Sequence, residues 1–361
     1  MNPFESPRIP SANLSTLMHP ILHLMNPIPT WLPVLGLGLL AALAPALSAA
    51  EPNDVKQSLL DLTGGRRVKV AWNQGAEKDM KLRFLDTADG VVRDLPFCGS
   101  APLLTLDGRR VLASTGSSAA DRVVWMYDTE TKAATQLASG AHNSLLAVWT
   151  DPKTRRHWVY VNDAGDKKQS WDAPAGKIFR FPADQPAERE LFWDRTSSHI
   201  YLMFSADGTR ACFEPSWGNI GLLKLEFDAE GKVDQAKSKY KPYGGGCFPG
   251  IAPDNSYRLF RLEGDHHAIT VADVDNTNPR KVQVSQMPGV REKGRNTWLT
   301  SWSKHPRYLT LVAPAGKDAG IWLGRFDAAF TKVEAWVRVT EPGPQCWQSQ
   351  AWVEPEAAST P

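Results

Sequence analysis

The sequence predicts an all-β fold, a six-bladed β-propeller of four-stranded blades. Three observations carry the prediction: a turn phrase that recurs at a near-constant step, strand-like runs flanking each copy, and chain ends that supply complementary parts of one unit. The clearest copy, Leu104-Thr105-Leu106-Asp107-Gly108-Arg109-Arg110-Val111, echoes Leu62-Thr63-Gly64-Gly65-Arg66-Arg67-Val68, which lies 43 residues earlier. Looser copies are Trp149-Thr150-Asp151-Pro152, Phe204-Ser205-Ala206-Asp207-Gly208-Thr209-Arg210, Ile251-Ala252-Pro253-Asp254-Asn255-Ser256-Tyr257 and Trp302-Ser303-Lys304-His305-Pro306-Arg307-Tyr308. With Gly65, Gly108, Pro152, Gly208, Asn255 and His305 taken as equivalent anchors, the steps are 43, 44, 56, 47 and 50 residues, each the length of one blade.

Each element follows from its residues. The Asp-Gly and Asp-Asn pairs supply tight turns, because Gly and Asn tolerate positive φ. Val111–Ser114, Arg122–Tyr127 and Ala134–Leu137 complete one unit with the β-branched and alternating residues of half-buried strands. Lys177–Phe181 with Glu190–Phe192, Ala268–Val271 with Lys281–Val284, and Ile321–Phe326 with Glu334–Val339 read as further outer pairs. At the ends, Ala351–Pro355 looks like the first strand of a unit with nothing after it but a short tail. Val68–Trp72, Lys81–Leu85 and Val91–Leu95 supply the three missing strands, so one blade is expected to be shared between the chain ends, removing a free edge.

Composition agrees. The 361 residues are 42% hydrophobic and 22% charged, and 41 Lys and Arg against 39 Asp and Glu leave a net charge of +2, with no electrostatic footprint for nucleic acid or an anionic lipid surface. Twenty-seven Gly, 27 Pro and 14 Trp argue against a helix bundle. Residues 1–50 belong to another regime, with one acid, Glu5, one base, Arg8, and an apolar run from Trp31 to Ala46. Small residues at Ser48 and Ala50 suit a signal-peptidase cut before Glu51, so residues 1–50 read as a signal peptide and 51–361 as a single exported domain. The long, nearly uncharged leader leaves two alternatives open, a start at Met18 or Met25 and an uncleaved anchor. Pro33 and Pro45 shorten the run below the roughly 20 residues of a membrane span, so no span is expected after signal removal.

The phrases around Asp107-Gly108 and Asp207-Gly208 resemble the repeat of TolB-type, WD40-like propellers of exported bacterial proteins, over residues 62 to 355. The resemblance implies a protein-binding disc, and through some relatives an enzyme acting on uronic-acid oligosaccharides. Little more than a dozen residues separate the expected cut from the first repeat, too few for an extra N-terminal domain of the TolB kind, so TolB's own role is not carried over.

In a propeller the inner strands converge on a central channel, so residues that precede them become neighbours. Cys98, His142, His199, Cys247 and Cys346 stand there, with Asn296 or Trp298 in the remaining unit. Cys and His are common metal ligands, and His142 and His199 are the candidate ligands of a divalent metal ion at one mouth. A disulfide between Cys98 and Cys346, which border the same shared blade, is the competing reading in an oxidising compartment. Cys212 reads as a buried small hydrophobe. Trp149, Trp217, Trp298, Trp302, Trp347 and Trp352 lie in or beside inner strands, where aromatic faces bind ligands or wedge between blades. Trp298 and Trp302, near Arg295 and Asn296, are the functional candidates among them, and with His142, His199 and His305 they make up the candidate binding set. His305 takes a turn position expected of Gly or Asn, and Asp265-His266-His267 an exposed hairpin loop.

No GxSxG, CxxC, HExxH or Gly-rich phosphate loop is present. The expectation is a monomeric periplasmic or extracellular recognition scaffold that binds a protein or carbohydrate at one mouth of the channel. The alternative is a metal-assisted polysaccharide or oligouronate lyase using His142, His199 and His305 as ligands or base.

Overall fold

Past residue 51 the chain opens with a helix that the repeat pattern does not announce, α1 (Pro52–Thr63). Val55, Leu59 and Leu62 fall on one face; Leu59 and Leu62 are buried against blade residues. The helix stops where Gly65 donates its N–H to the Leu60 carbonyl at 2.7 Å, and Arg325 caps the Leu62 carbonyl at 2.8 Å. In this computed structural model the described residues are 52–75, 80–115, 122–140, 144–162, 177–194, 200–216, 218–284, 287, 297–313, 319–341, 343 and 345–356.

After α1 come β1 (Val68–Gln74), β2 (Lys81–Asp86) and β3 (Val92–Asp94), then five runs of four strands. These are β4 (Ser100–Leu104), β5 (Arg110–Thr115), β6 (Val123–Asp128) and β7 (Ala134–Ser139); β8 (Ser144–Thr150), β9 (His157–Asn162), β10 (Ile178–Pro182) and β11 (Glu190–Trp193); and β12 (Ile200–Phe204), β13 (Arg210–Ser216), β14 (Asn219–Lys224) and β15 (Lys239–Gly245). The last two runs are β16 (Cys247–Ile251), β17 (Leu259–Leu262), β18 (Ala268–Asp273) and β19 (Thr277–Gln283), and β20 (Trp298–Trp302), β21 (Tyr308–Ala313), β22 (Gly320–Phe326) and β23 (Val333–Arg338). β24 (Cys346–Val353) ends the series.

The described strands form six antiparallel four-stranded sheets, and blade 1 has the order β24-β1-β2-β3. The protein is therefore an all-β six-bladed propeller whose first blade is completed by the C-terminal strand. Val68 pairs with Val353 and Trp72 with Ser349, and Glu354 N–H reaches the Arg67 carbonyl at 2.9 Å. The strands read from sequence recur within a residue or two at their ends, apart from β19, which starts four residues before Lys281, and β24, which starts five residues before Ala351.

The repeated turn has a physical job. In blade 2, Asp107 accepts the Thr105 hydroxyl at 2.5 Å and the Arg109 N–H at 3.0 Å; in blade 4, Asp207 does the same with Ser205 at 2.6 Å and Thr209 N–H at 3.0 Å. The following glycine adopts left-handed φ, +66° at Gly108 and +74° at Gly208, and a tryptophan of the preceding seam lies against it. Trp352 covers Gly108 and donates its indole N–H to the Leu106 carbonyl at 2.9 Å. Trp149 covers Gly208 and donates to the Ser205 carbonyl at 3.1 Å. A Cβ at Gly208 would stand 2.6 Å from the Trp149 ring, so glycine permits both the turn and the latch.

Apolar clusters fill the spaces between blades. Blades 3 and 4 share Tyr160, Phe192, Phe213 and Trp193. Trp302, with Phe260 stacked at 5.0 Å, anchors the larger cluster that runs from blade 5 through blade 6 to blade 1. Rings buried in this way contribute on the order of 2–3 kcal/mol each. The cluster between blades 4 and 5 is smaller, with Cys212, Ile220, Tyr243, Ile251 and Leu259 as its buried members.

Candidate functional site

The inner strands β4, β8, β12, β16, β20 and β24 begin together at one mouth of the channel and end together in the repeated turns at the other. At the first mouth, Cys247 and Cys346 are buried at the heads of β16 and β24, and Cys98 is exposed just before β4. His142, His199, Asn296 and Trp217 lie outside the described residues. None of the four cysteines is disulfide-bonded in the structure, and Cys98 and Cys346 are not joined. Desolvation pushes the Cys247 and Cys346 thiols up to about 11. Among the described residues no group of three His, Cys, Asp or Glu side chains is placed to hold a metal ion. Cys212 is fully buried within β13, as its apolar neighbours required.

The heads of three inner strands carry a feature that no sequence motif announced. Ala101, Phe248 and Leu299, each the second residue of its strand, adopt left-handed φ of 50°, 49° and 51° beside breaks in register. For residues with side chains this is strain. At two of them a side chain accepts the N–H: the half-buried Gln348 takes that of Ala101 at 2.7 Å, and the buried Glu214 takes those of Gly218 and Phe248 at 3.0 and 3.3 Å. Glu214 is fully buried, and desolvation raises its pKa.

Trp298 is half-buried, with the edge of the His266 ring 4.9 Å away between centroids. His266 itself is buried rather than exposed as the hairpin reading expected, because its carbonyl receives both the N–H and the hydroxyl of Thr297. Burial lowers its pKa. Trp302 is 2% exposed, and its indole N–H is spent on the Pro306 carbonyl at 2.8 Å; its ring is wedged into the core. Trp149 and Trp352 are the latches described above, and Trp347 is exposed and donates to the Gly75 carbonyl at 3.3 Å.

His305 takes a different place in the turn from the one expected. Ser303 N–H bonds to Tyr308 O as Thr105 N–H does to Arg110 O, so Pro306 matches Gly108 and His305 matches Asp107. Its Nδ1 accepts the Arg307 N–H at 3.1 Å, as the aspartates do, and its Nε2 lies 3.0 Å from an Arg66 nitrogen of blade 1. With both ring nitrogens facing N–H donors, burial and then the Arg66 charge pull His305 down to about 4. Asp107 and Asp207 tie blades in the same way, to His157 at 3.5 Å and to the Tyr257 hydroxyl at 2.6 Å. For Asp107, burial opposes ionisation, but hydrogen bonds from His157, Thr105 and Arg109 outweigh it and hold the carboxyl well below the usual range.

At the turn-side mouth a recess of about 50 Å³ draws its walls from all six inner strands, including Leu103, Leu146, Leu202, Ile251 and Gln350. Its rim is built from the residue that follows Thr105, Ser205, Ala252 and Ser303: Leu106, Ala206, Pro253 and Lys304. Lys304 alone of these four is charged. Its backbone N–H is fixed to the Ala351 carbonyl at 2.8 Å, and desolvation pulls its ammonium down to about 8.

Neither a protein-family model nor a curated protein matches the chain. Among solved structures it is similar to TolB from Acinetobacter baumannii, with TM-score 0.56 and 11% identity over 82% of this chain and 70% of that one. It is also similar to a chain of a nidogen/laminin complex, with TM-score 0.52 and 10% identity over 79% of this chain and 98% of that one. An oligogalacturonate lyase in complex with manganese is more distant, with TM-score 0.44 and 13% identity over 76% and 74%. The chain is thus a propeller similar in fold to TolB, as the turn phrases implied.

Proposed function

We propose that this protein is an exported recognition scaffold whose turn-side channel mouth receives an acidic group of a protein partner, with Lys304 as the ionic contact. The observation that carries the reading is the recess itself: one desolvated cation on an apolar rim contributed by separate blades. Its volume of about 50 Å³ is far below the roughly 300 Å³ at which sites for whole small ligands begin. It suits a side-chain tip better than a sugar ring, which favours protein over carbohydrate at this mouth. The similar fold of a chain in the nidogen/laminin complex supports use of such a disc in protein assembly. Export rests on the apolar leader and the Ser48 and Ala50 pattern, and secreted material is expected to begin at Glu51 on N-terminal sequencing.

The test is a photo-crosslinking residue placed at Leu106, with the captured protein then purified and titrated calorimetrically. Lys304→Met is expected to weaken binding about 10-fold, about 1.4 kcal/mol, and affinity of the unsubstituted protein is expected to fall as pH rises through about 8, where Lys304 loses its proton. Equal binding by Lys304→Met, or a glycan array positive where no protein is captured, overturns the reading.

A further inference from the structure

The seam between blades 4 and 5 carries a second feature, independent of the channel. In β13, β14 and β15, Arg210 pairs directly with Lys224, and Lys224 with Lys239, so three cations stand in one cross-strand row. Lys241, opposite Leu222, adds a fourth two residues along on the same face. Like charges directly opposite one another destabilise a sheet, and a strand spacing near 4.8 Å keeps them close. Little nearby charge offsets them: Lys224 has Glu226 at 3.9 Å, and Arg210 lies over the Tyr257 ring at 4.9 Å and donates to the Thr209 carbonyl.

The row borders a cleft of about 260 Å³ that also takes in Tyr240, Tyr257, Leu222, Leu259 and Ile251, with Asp275 on its rim. It opens where the apolar filling of the seam is thin. Tyr257, over which the Arg210 guanidinium lies at 4.9 Å, supplies the aromatic surface on this face. The floor is thus apolar with one aromatic ring, the wall is cationic, and the volume, just short of the roughly 300 Å³ at which small-ligand sites begin, suits a compact molecule.

We infer that this cleft is a binding site for a small organic polyanion, a compact body carrying two or more phosphate, sulfate or carboxylate groups that neutralise the Arg210, Lys224 and Lys239 row. The body sits on Tyr257, Leu222 and Leu259, and the anionic groups face the charged row. The binding is electrostatic and therefore weakens as salt is raised.

The experiment titrates the full chain with fructose 1,6-bisphosphate, a sulfated disaccharide and citrate, with trehalose as the neutral control, by calorimetry and thermal unfolding. At least one polyanion is expected to bind and to raise the melting temperature while trehalose does neither, and the three arms separate phosphate, sulfate and carboxylate. The double variant Lys224→Gln, Lys239→Gln is expected to lose at least 10-fold in affinity and, without ligand, to melt at a temperature no lower than the original, since it relieves repulsion. Lys304→Met is expected to bind the same anion unchanged, which keeps this site distinct from the channel. Absence of binding by all three polyanions, equal binding by the double variant, or a clear drop in its unliganded melting temperature overturns the inference.

Discussion

His305 shows how much a single side chain can set. The folded protein keeps the ring neutral down to about pH 4, whereas an unfolded histidine takes its proton near 6.5. Between those values the unfolded state binds more protons, so stability falls as pH drops through the window. The loss reaches about 2 kcal/mol at pH 5 by linkage. Urea unfolding at pH 7.5 and 5 is expected to show it, and His305→Asp, which restores the acceptor used in blades 2 and 4 and places a carboxylate beside Arg66, is expected to remove most of it. Lys304 works in the other direction. A desolvated ammonium costs stability near neutral pH, so Lys304→Met is expected to raise stability by about 1–2 kcal/mol while impairing partner binding. A variant that melts lower than the original contradicts this.

At the level of elements, the latch of Trp149 over Gly208 predicts that Gly208→Ala forces a side chain into left-handed φ and displaces the indole. The expected cost is about 2–4 kcal/mol, checked by chemical denaturation. The turns were legible because their chemistry is local: Asp, Gly and a hydroxyl residue within four positions write the hydrogen bonds directly. The strands were legible because period and β-branching persist across each unit. The helix α1 had its own signal, Val55, Leu59 and Leu62 between Pro52 and the Gly64-Gly65 stop, but a segment of 12 residues next to the expected cut reads as linker. The left-handed residues Ala101, Phe248 and Leu299 had no signal, since nothing in Ala, Phe or Leu asks for that conformation. The burial of His266 by Thr297 and the alignment of Arg210, Lys224 and Lys239 depend on strand register, which short motifs do not encode.

For the molecule as a whole, the decisive step is the return of β24 to β1. It was readable because the two ends held complementary fractions of the same unit, whereas the recess at Lys304 was not, because its walls come from strands up to about 250 residues apart. A chain ending at Gln345 leaves β1 as an unpaired edge and strips Ala351 and Val353 from the core. It is expected to lose its near-ultraviolet circular dichroism and to elute as aggregate in size-exclusion chromatography. The seam has a further implication. Because Arg67 and Glu354 touch through a backbone bond, and Arg66 meets Glu356 at 3.3 Å, the order in which the ribosome delivers the blades is incidental to the wheel they make. A circularly permuted gene, with a flexible bridge from Glu356 back to Pro52 and new termini in the exposed bend between Glu230 and Gly231, encodes the same disc and leaves both its axis and its lysine row where they stand.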